Sequence, residues 1–292
     1  MLALDLGVFN RKAHVIRVKE ALAWTGVWMG MALAWNLVIY WLEGPTAAVH
    51  FLTAYLIEES LSVDNMFVFL LIFRYFHVPA SHQHRVLFWG IIGALAARLT
   101  FILAGLALVK AFHAAVYVFG AFLIFTGIRM AFQKGLEVHP DRNPVFRLLR
   151  PFMSSTRYDT EKFFVRRNRR LFVTPLFVVL MVIESSDIMF AVDSVPAVLA
   201  ITFDPFIAYA SNALAILGLR SLYFAVGGLM GMFHYLHHGL AAILTLVGLK
   251  MIAADWVRLP PWMTLSMIAV ILSVAILASI AHKRSAGEVK SK

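Results

Sequence analysis

Long apolar stretches dominate this chain, and its polar residues collect in the gaps between them. Eight stretches hold the roughly 20 residues a helix needs to cross about 30 Å of hydrocarbon: 21–42, 49–73, 86–109, 114–132, 172–199, 207–230, 235–254 and 262–281. Lipid offers no partner for a bare backbone group, so each stretch is predicted to be a helix. The pattern predicts an all-α, polytopic transmembrane bundle. Its parts are a cytoplasmic segment 1–20, a helix 21–42, a first three-helix unit 49–132, a loop 133–171, a second three-helix unit 172–254, a last helix 262–281 and a tail 282–292.

Composition narrows the class. The chain is 61% hydrophobic and 14% charged, against about 25% charged residues in an average soluble domain. There is no cysteine, which excludes disulfides and thiolate metal sites. Residues 1–20 lack an apolar core followed by a small-residue cleavage site, so the first span is expected to be an uncleaved anchor. The net charge of +10 is not a nucleic-acid signal, because lysine and arginine lie in the links. The link 133–171 holds Lys134, Arg142, Arg147, Arg150, Arg157, Lys162, Arg166, Arg167, Arg169 and Arg170. The positive-inside rule makes it cytoplasmic, and its surface suits anionic lipid headgroups. Counting outward puts the N-terminus, the link 74–85 and the tail on the same side. The links 43–46, 204–205 and 255–261, poor in lysine and arginine, fall on the other.

A weak repeat runs through the middle. Phe112-His113 is followed by Gly127 and Arg129-Met130, and Phe233-His234 at the same spacing by Gly248 and Lys250-Met251. Arg98 precedes Gly105 as Arg220 precedes Gly227, and Glu58 precedes Asp64 as Asp187 precedes Asp193. The two units are predicted to enter the membrane from opposite sides, a transporter design with its site at the midplane.

Six carboxylates lie inside predicted spans: Glu58, Glu59 and Asp64 in one, Glu184, Asp187 and Asp193 in another. Each costs about 2.5–3.5 kcal/mol at bilayer depth, roughly 15 kcal/mol together if uncompensated. Such groups read as a site for something positively charged. On an ideal helix Glu58 and Asn65 lie about 20° apart, as do Asp187 and Ser194, with Glu184 about 60° from Asp187. Glu59 has no acidic counterpart in the repeat, so Glu58 is favoured. Pro196 cannot donate to the carbonyl of Val192, so the helix is expected to kink or open there and bring Asp193 round. Arg98 and Arg220 lie mid-span and are expected to face the acids and compensate charge. A static salt-bridge cluster is the other reading, but two arginines cannot neutralise six acids.

The ligand set is carboxylate, amide, hydroxyl and carbonyl oxygen, which suits magnesium, calcium or manganese. Met66 and Met189 are read as filler. His234, His237 and His238 are read as interfacial residues. Vacated carboxylates raise one another's pKa, which makes proton exchange a natural coupling. An enzyme is not expected, since His-Glu-x-x-His and Gly-x-Gly-Asp patterns and a cysteine nucleophile are lacking. Two alternatives stay open: export of a small cationic or zwitterionic solute, and a scaffold that binds protein partners, none identified, through 133–171.

The chain resembles the TerC family of integral membrane proteins over nearly its whole length. The resemblance rests on Leu4-Asp5-Leu6-Gly7-Val8-Phe9 with Arg11-Lys12-Ala13-His14, and on Glu58 to Asp64-Asn65. It continues through Phe163-Phe164-Val165-Arg166-Arg167-Asn168, Thr174-Pro175-Leu176-Phe177, and Glu184 and Asp187 to Asp193-Ser194-Val195-Pro196. It ends on Ser211-Asn212 and Leu219-Arg220-Ser221-Leu222-Tyr223-Phe224. The resemblance implies a bacterial inner-membrane protein of a family named for tellurium resistance, with export of manganese(II) as its activity and a layout similar to lysine exporters. It implies no permanently bound cofactor; the metal is cargo. Glu58, Asp64, Asn65, Glu184, Asp187 and Asp193 are then the expected metal ligands, with Ser194, Asn212, Arg98 and Arg220 in support. The family carries a helix ahead of Leu4-Asp5-Leu6-Gly7, so residues 2–9 read as the stub of a shortened first helix.

Overall fold

The structure is a computed structural model that describes residues 18–132, 144–149, 151, 162–167, 170–228, 235–257 and 259–289. Helix α1 is Val18–Glu43, α2 Pro45–Tyr75, α3 Ala80–Ala111 and α4 Ala114–Phe132. A short helix α5, Pro144–Leu149, and a hairpin of β1, Phe164–Arg167, and β2, Arg170–Val173, belong to the basic loop. Then come α6, Pro175–Leu199; α7, Pro205–Gly228; α8, Leu236–Ala253; and α9, Pro261–Val289. The hairpin adds a small sheet, outside the spans, to a fold that is otherwise helical. Asp5, residues 2–9, His234 and much of 133–171 lie outside the described residues.

Each boundary has a local cause. Gly44 turns α1 into α2 at φ 91°, a conformation that a side chain disfavours, and Pro45 opens α2 where its missing N–H costs nothing. Thr174 caps α6 by accepting from the Phe177 N–H at 3.4 Å, and Pro175 takes the first turn. Asp204 caps α7, accepting from the Phe206 and Ile207 N–H groups at 2.8 and 3.2 Å.

Seven of these helices are long and apolar enough to cross a membrane. The eighth long helix, α2, has 31 residues and bears the first group of acids. Helices α1 and α9 lie at the periphery, exposing Leu33, Leu37 and Trp41, and Val270, Val274 and Leu277. Lipid accounts for such apolar surface on a helical bundle.

The interior divides into clusters. One packs α2, α3, α6 and α7 through Met66, Phe73, Ile91, Ile183 and Tyr223. Another packs α2, α3, α4, α6 and α8 through Ile57, Ile102, Leu123, Val198 and Val247. On α3, α6 and α7 a set of buried polar residues falls in the interval between these two, while Arg220 lies farther along α7. Arg98 lies between Ala94 and Ile102, Asp187 and Ser194 between Ile183 and Val195, and Asn212 between Ala208 and Ile216.

Contacts between the two units matched in the sequence are reciprocal. A methyl group on Gly105 would stand 2.8 Å from Leu199, and one on Gly227 would stand 3.3 Å from Leu70. Leu70 and Leu199 stand at the same offset as Asp64 and Asp193. Likewise a methyl on Gly127 would meet the Ala241 carbonyl at 2.7 Å, and one on Gly248 the Gly120 carbonyl at 2.7 Å. Reciprocity of this kind is what a two-fold relation between the units would give.

Candidate functional site

Glu58 sits about 20 Å along α2, at the rise of a regular helix, and is fully buried. Its Oε1 accepts from Nη1 of Arg98, which is 1% exposed. The same nitrogen donates to Ser194 Oγ and, at 2.9 Å, to Asn212 Oδ1. Four helices, α2, α3, α6 and α7, thus each contribute one side chain. The Asn212 amide nitrogen donates to the Ala208 carbonyl at 3.0 Å, which turns its oxygen toward Arg98. Asp187, 4% exposed, lies within electrostatic range of both Arg98 and Glu58.

The pairing is incomplete. Glu58 Oε2, Asp187 Oδ2 and Arg98 Nε are buried without a hydrogen-bond partner among the described residues. Buried polar atoms are nearly always satisfied, and those that are not mark strain, function or an unseen partner. Glu59 Oε2 is likewise without a partner among the described residues, but Glu58 and Asp187 are the two in range of Arg98, and their leftover oxygens can accept a cation.

The remaining candidates are spread out. Glu184 is half-buried, with its carboxylate directly against α3 at Gly93. Asn65 is buried on α2. Asp64 lies 3.5 Å from Nδ1 of His237, whose Nε2 meets the Met130 carbonyl at 2.8 Å. Asp193 accepts from Thr126 on α4 at 3.4 Å. Arg220 is buried and hydrogen-bonds His84 Nδ1 at 3.2 Å. Glu59 meets Tyr55. Among the described residues no three of histidine, aspartate and glutamate converge as a preformed metal cage. Six like charges repel one another at short range; Asp64 and Asp193 are drawn to His237 and Thr126, while Glu58, Asp187 and Glu184 stay within electrostatic range one after the next, with Arg98 reaching the first two.

Two expectations need correction. The helix does not open at Pro196: α6 runs unbroken to Leu199, and the Ala200 N–H bonds the Pro196 carbonyl at 2.9 Å. A proline in the last turn removes one backbone bond and leaves the rest of the turn closed. Asp193 therefore stays on its own side and faces α4. His237 is not merely interfacial; the start of α8 carries it against Asp64. Gly93, Thr126, His84 and His237 acquire their roles through contacts between distant helices. Only the acid–amide–arginine set left a mark in the sequence, as polar residues inside apolar spans.

Fold and site together define a polytopic helical membrane protein with a buried, incompletely paired charge cluster at its centre. The chain belongs to the TerC family: the profile described as integral membrane protein TerC family matches residues 43–286. It is 49% identical to an uncharacterised membrane protein of Myxococcus xanthus, STKORF319, over 98% of this chain and 90% of that one. It is 44% identical to Alx of Escherichia coli K12, named as a candidate membrane-bound redox modulator, over 93% and 88% of the two chains. Its identity to the Salmonella typhi protein of that name is 42%, over 97% and 92%. No solved structure matches the chain at a significant level.

Proposed function

We propose that this protein exports a divalent cation, manganese(II) foremost, through the site formed by Glu58, Asp187, Ser194 and Asn212. The observation that carries the reading is the pair of buried carboxylate oxygens, Glu58 Oε2 and Asp187 Oδ2, with no partner in the described protein. Carboxylate, hydroxyl and amide oxygens are the donors that hard divalent ions take. Reciprocal contacts between the two units support alternating access, in which one unit rocks against the other around a central site. Asp64, Asn65, Asp193 and Glu184, the last within electrostatic range of Asp187, are proposed as steps toward and away from the centre. Proton exchange is the proposed coupling. No resident cofactor and no enzymatic step belong to this reading.

The test is manganese efflux from loaded cells or vesicles. Glu58→Gln and Asp187→Asn should each lower the rate by at least about tenfold, the order that loss of one charged ligand carries. Magnesium, calcium and lysine run beside manganese identify the cargo. Undiminished manganese efflux by both variants at equal protein level removes this site from the mechanism.

The name of the Alx relatives favours a second reading, a redox role. This chain has no cysteine, so thiol–disulfide exchange is not open to its own side chains. A redox effect would then follow from the metal it moves, and the efflux-deficient variants should lose both effects together.

A further inference from the structure

We propose that Arg98 is a tethered competitor of the transported ion: its guanidinium occupies the oxygen set that binds the cation and yields it when the cation arrives. The proposal rests on the export reading and concerns how the ion is bound and released.

The geometry around Arg98 is unusual for an arginine. A guanidinium is a planar fork, and its strong pairing with a carboxylate uses two nitrogens on two oxygens. Here one nitrogen, Nη1, faces three acceptors: Glu58 Oε1, Ser194 Oγ and Asn212 Oδ1. That nitrogen carries only two hydrogens, so three acceptors oversubscribe it. Meanwhile Nε has no partner among the described residues, and neither does the second oxygen of Glu58. The fork is used at a single tip.

Three oxygens of different chemical type, delivered by α2, α6 and α7, converge on one point. That arrangement serves a fork poorly and a spherical cation well, because metal coordination is a set of oxygens around a centre. Glu58 Oε2 is a further donor on the same carboxylate, and Asp187 adds a second acid within electrostatic range. The Nη1 position therefore marks the cation position.

Two consequences follow for transport. A monovalent ion brings no more charge than the guanidinium it must displace, so the set favours divalent ions. The displaced arginine also stays on α3 within electrostatic range of Asp187, where its charge limits the ion's affinity and helps its release. Arg98 is thus a positioning and specificity residue and not a metal ligand.

The experiment measures manganese(II) binding to the purified full chain in nanodiscs, with manganese alone as probe, beside manganese efflux. Arg98→Gln should bind manganese about tenfold tighter, the order of a charge-assisted hydrogen bond, yet export it more slowly. Arg98→Lys keeps a charge but reaches fewer of the three oxygens, so its affinity should fall between the two. If Arg98→Gln does not fold, the lysine variant decides alone: tighter binding than the unsubstituted chain supports competition. Equal or weaker binding by the folded variants, with saturable binding by the unsubstituted chain, overturns the role of Arg98 and leaves the export reading standing. An unsubstituted chain that binds no manganese overturns both.

Discussion

Glu184 shows how much a single missing side chain can decide. Its carboxylate lies where a methyl group on Gly93 would have to be. Both oxygens and the carboxyl carbon crowd that point, so an alanine at Gly93 must push the carboxylate away from α3. A displacement near 1 Å at a reacting centre can cost about a hundredfold; a flexible glutamate off the centre should cost less. Gly93→Ala is expected to slow manganese export by about tenfold. Adding Glu184→Asp, which shortens the arm by one methylene, should recover most of the rate. If the double variant is no better than Gly93→Ala alone, the defect is helix packing and not the placement of a carboxylate. At this scale the sequence spoke clearly only where chemistry clashed with its surroundings. Glu58, Arg98 and Asp187 stand out because a charge in an apolar span demands a reason. Gly93 does not, since a glycine in an apolar helix looks the same whether it faces lipid or a carboxylate.

Between elements, α4 packs against α8 backbone to backbone, and this depends on glycine from both sides. A methyl on Gly248 would stand 2.7 Å from the Gly120 carbonyl and 3.0 Å from the Ile124 nitrogen. Both are backbone atoms, which cannot swing aside as a side chain can. Gly248→Val should therefore force the helices apart and cost about 1–3 kcal/mol, the range for overpacking a tight contact. Thermal unfolding in detergent measures it, and an unchanged midpoint would mean that the two helices have room to spare. Hydropathy located the helices but not their ends, because lipid enforces only the apolar middle: 86–109 in the sequence is Ala80–Ala111 in the structure, and 262–281 is Pro261–Val289. Packing partners were less so. Pro196 signalled a break that α6 does not make, since the cost of one lost backbone bond is small beside the burial of Val195, Ala197, Val198 and Leu199 around it.

Over the whole molecule, the links sort into two ends. At one end Arg85 stacks over Phe163 at 5.2 Å and Tyr223 donates to Gln83 at 2.9 Å, joining the start of α3, the hairpin and the far part of α7. At the other, Tyr117 bonds Asp255 and Lys250 donates to the Ala200 carbonyl at 3.3 Å, joining the start of α4 with the ends of α6 and α8. The first end carries Arg74, Arg85, Arg147, Lys162 and Arg166, and it is the end the positive-inside rule expects in the cytoplasm. The turn at Gly44 belongs to the second end, because Ala48 and Phe51 pack with Ile207 near the start of α7. With no native cysteine, single cysteines report sidedness without background. Thr46 and Ser81 are both exposed, one beside the turn at Gly44 and the other at the start of α3. Thr46→Cys should react with an impermeant maleimide in intact cells, and Ser81→Cys only after the membrane is opened. The opposite result would invert the molecule. On the export reading, the cation would then enter from the end at Gly44 and leave at the start of α3.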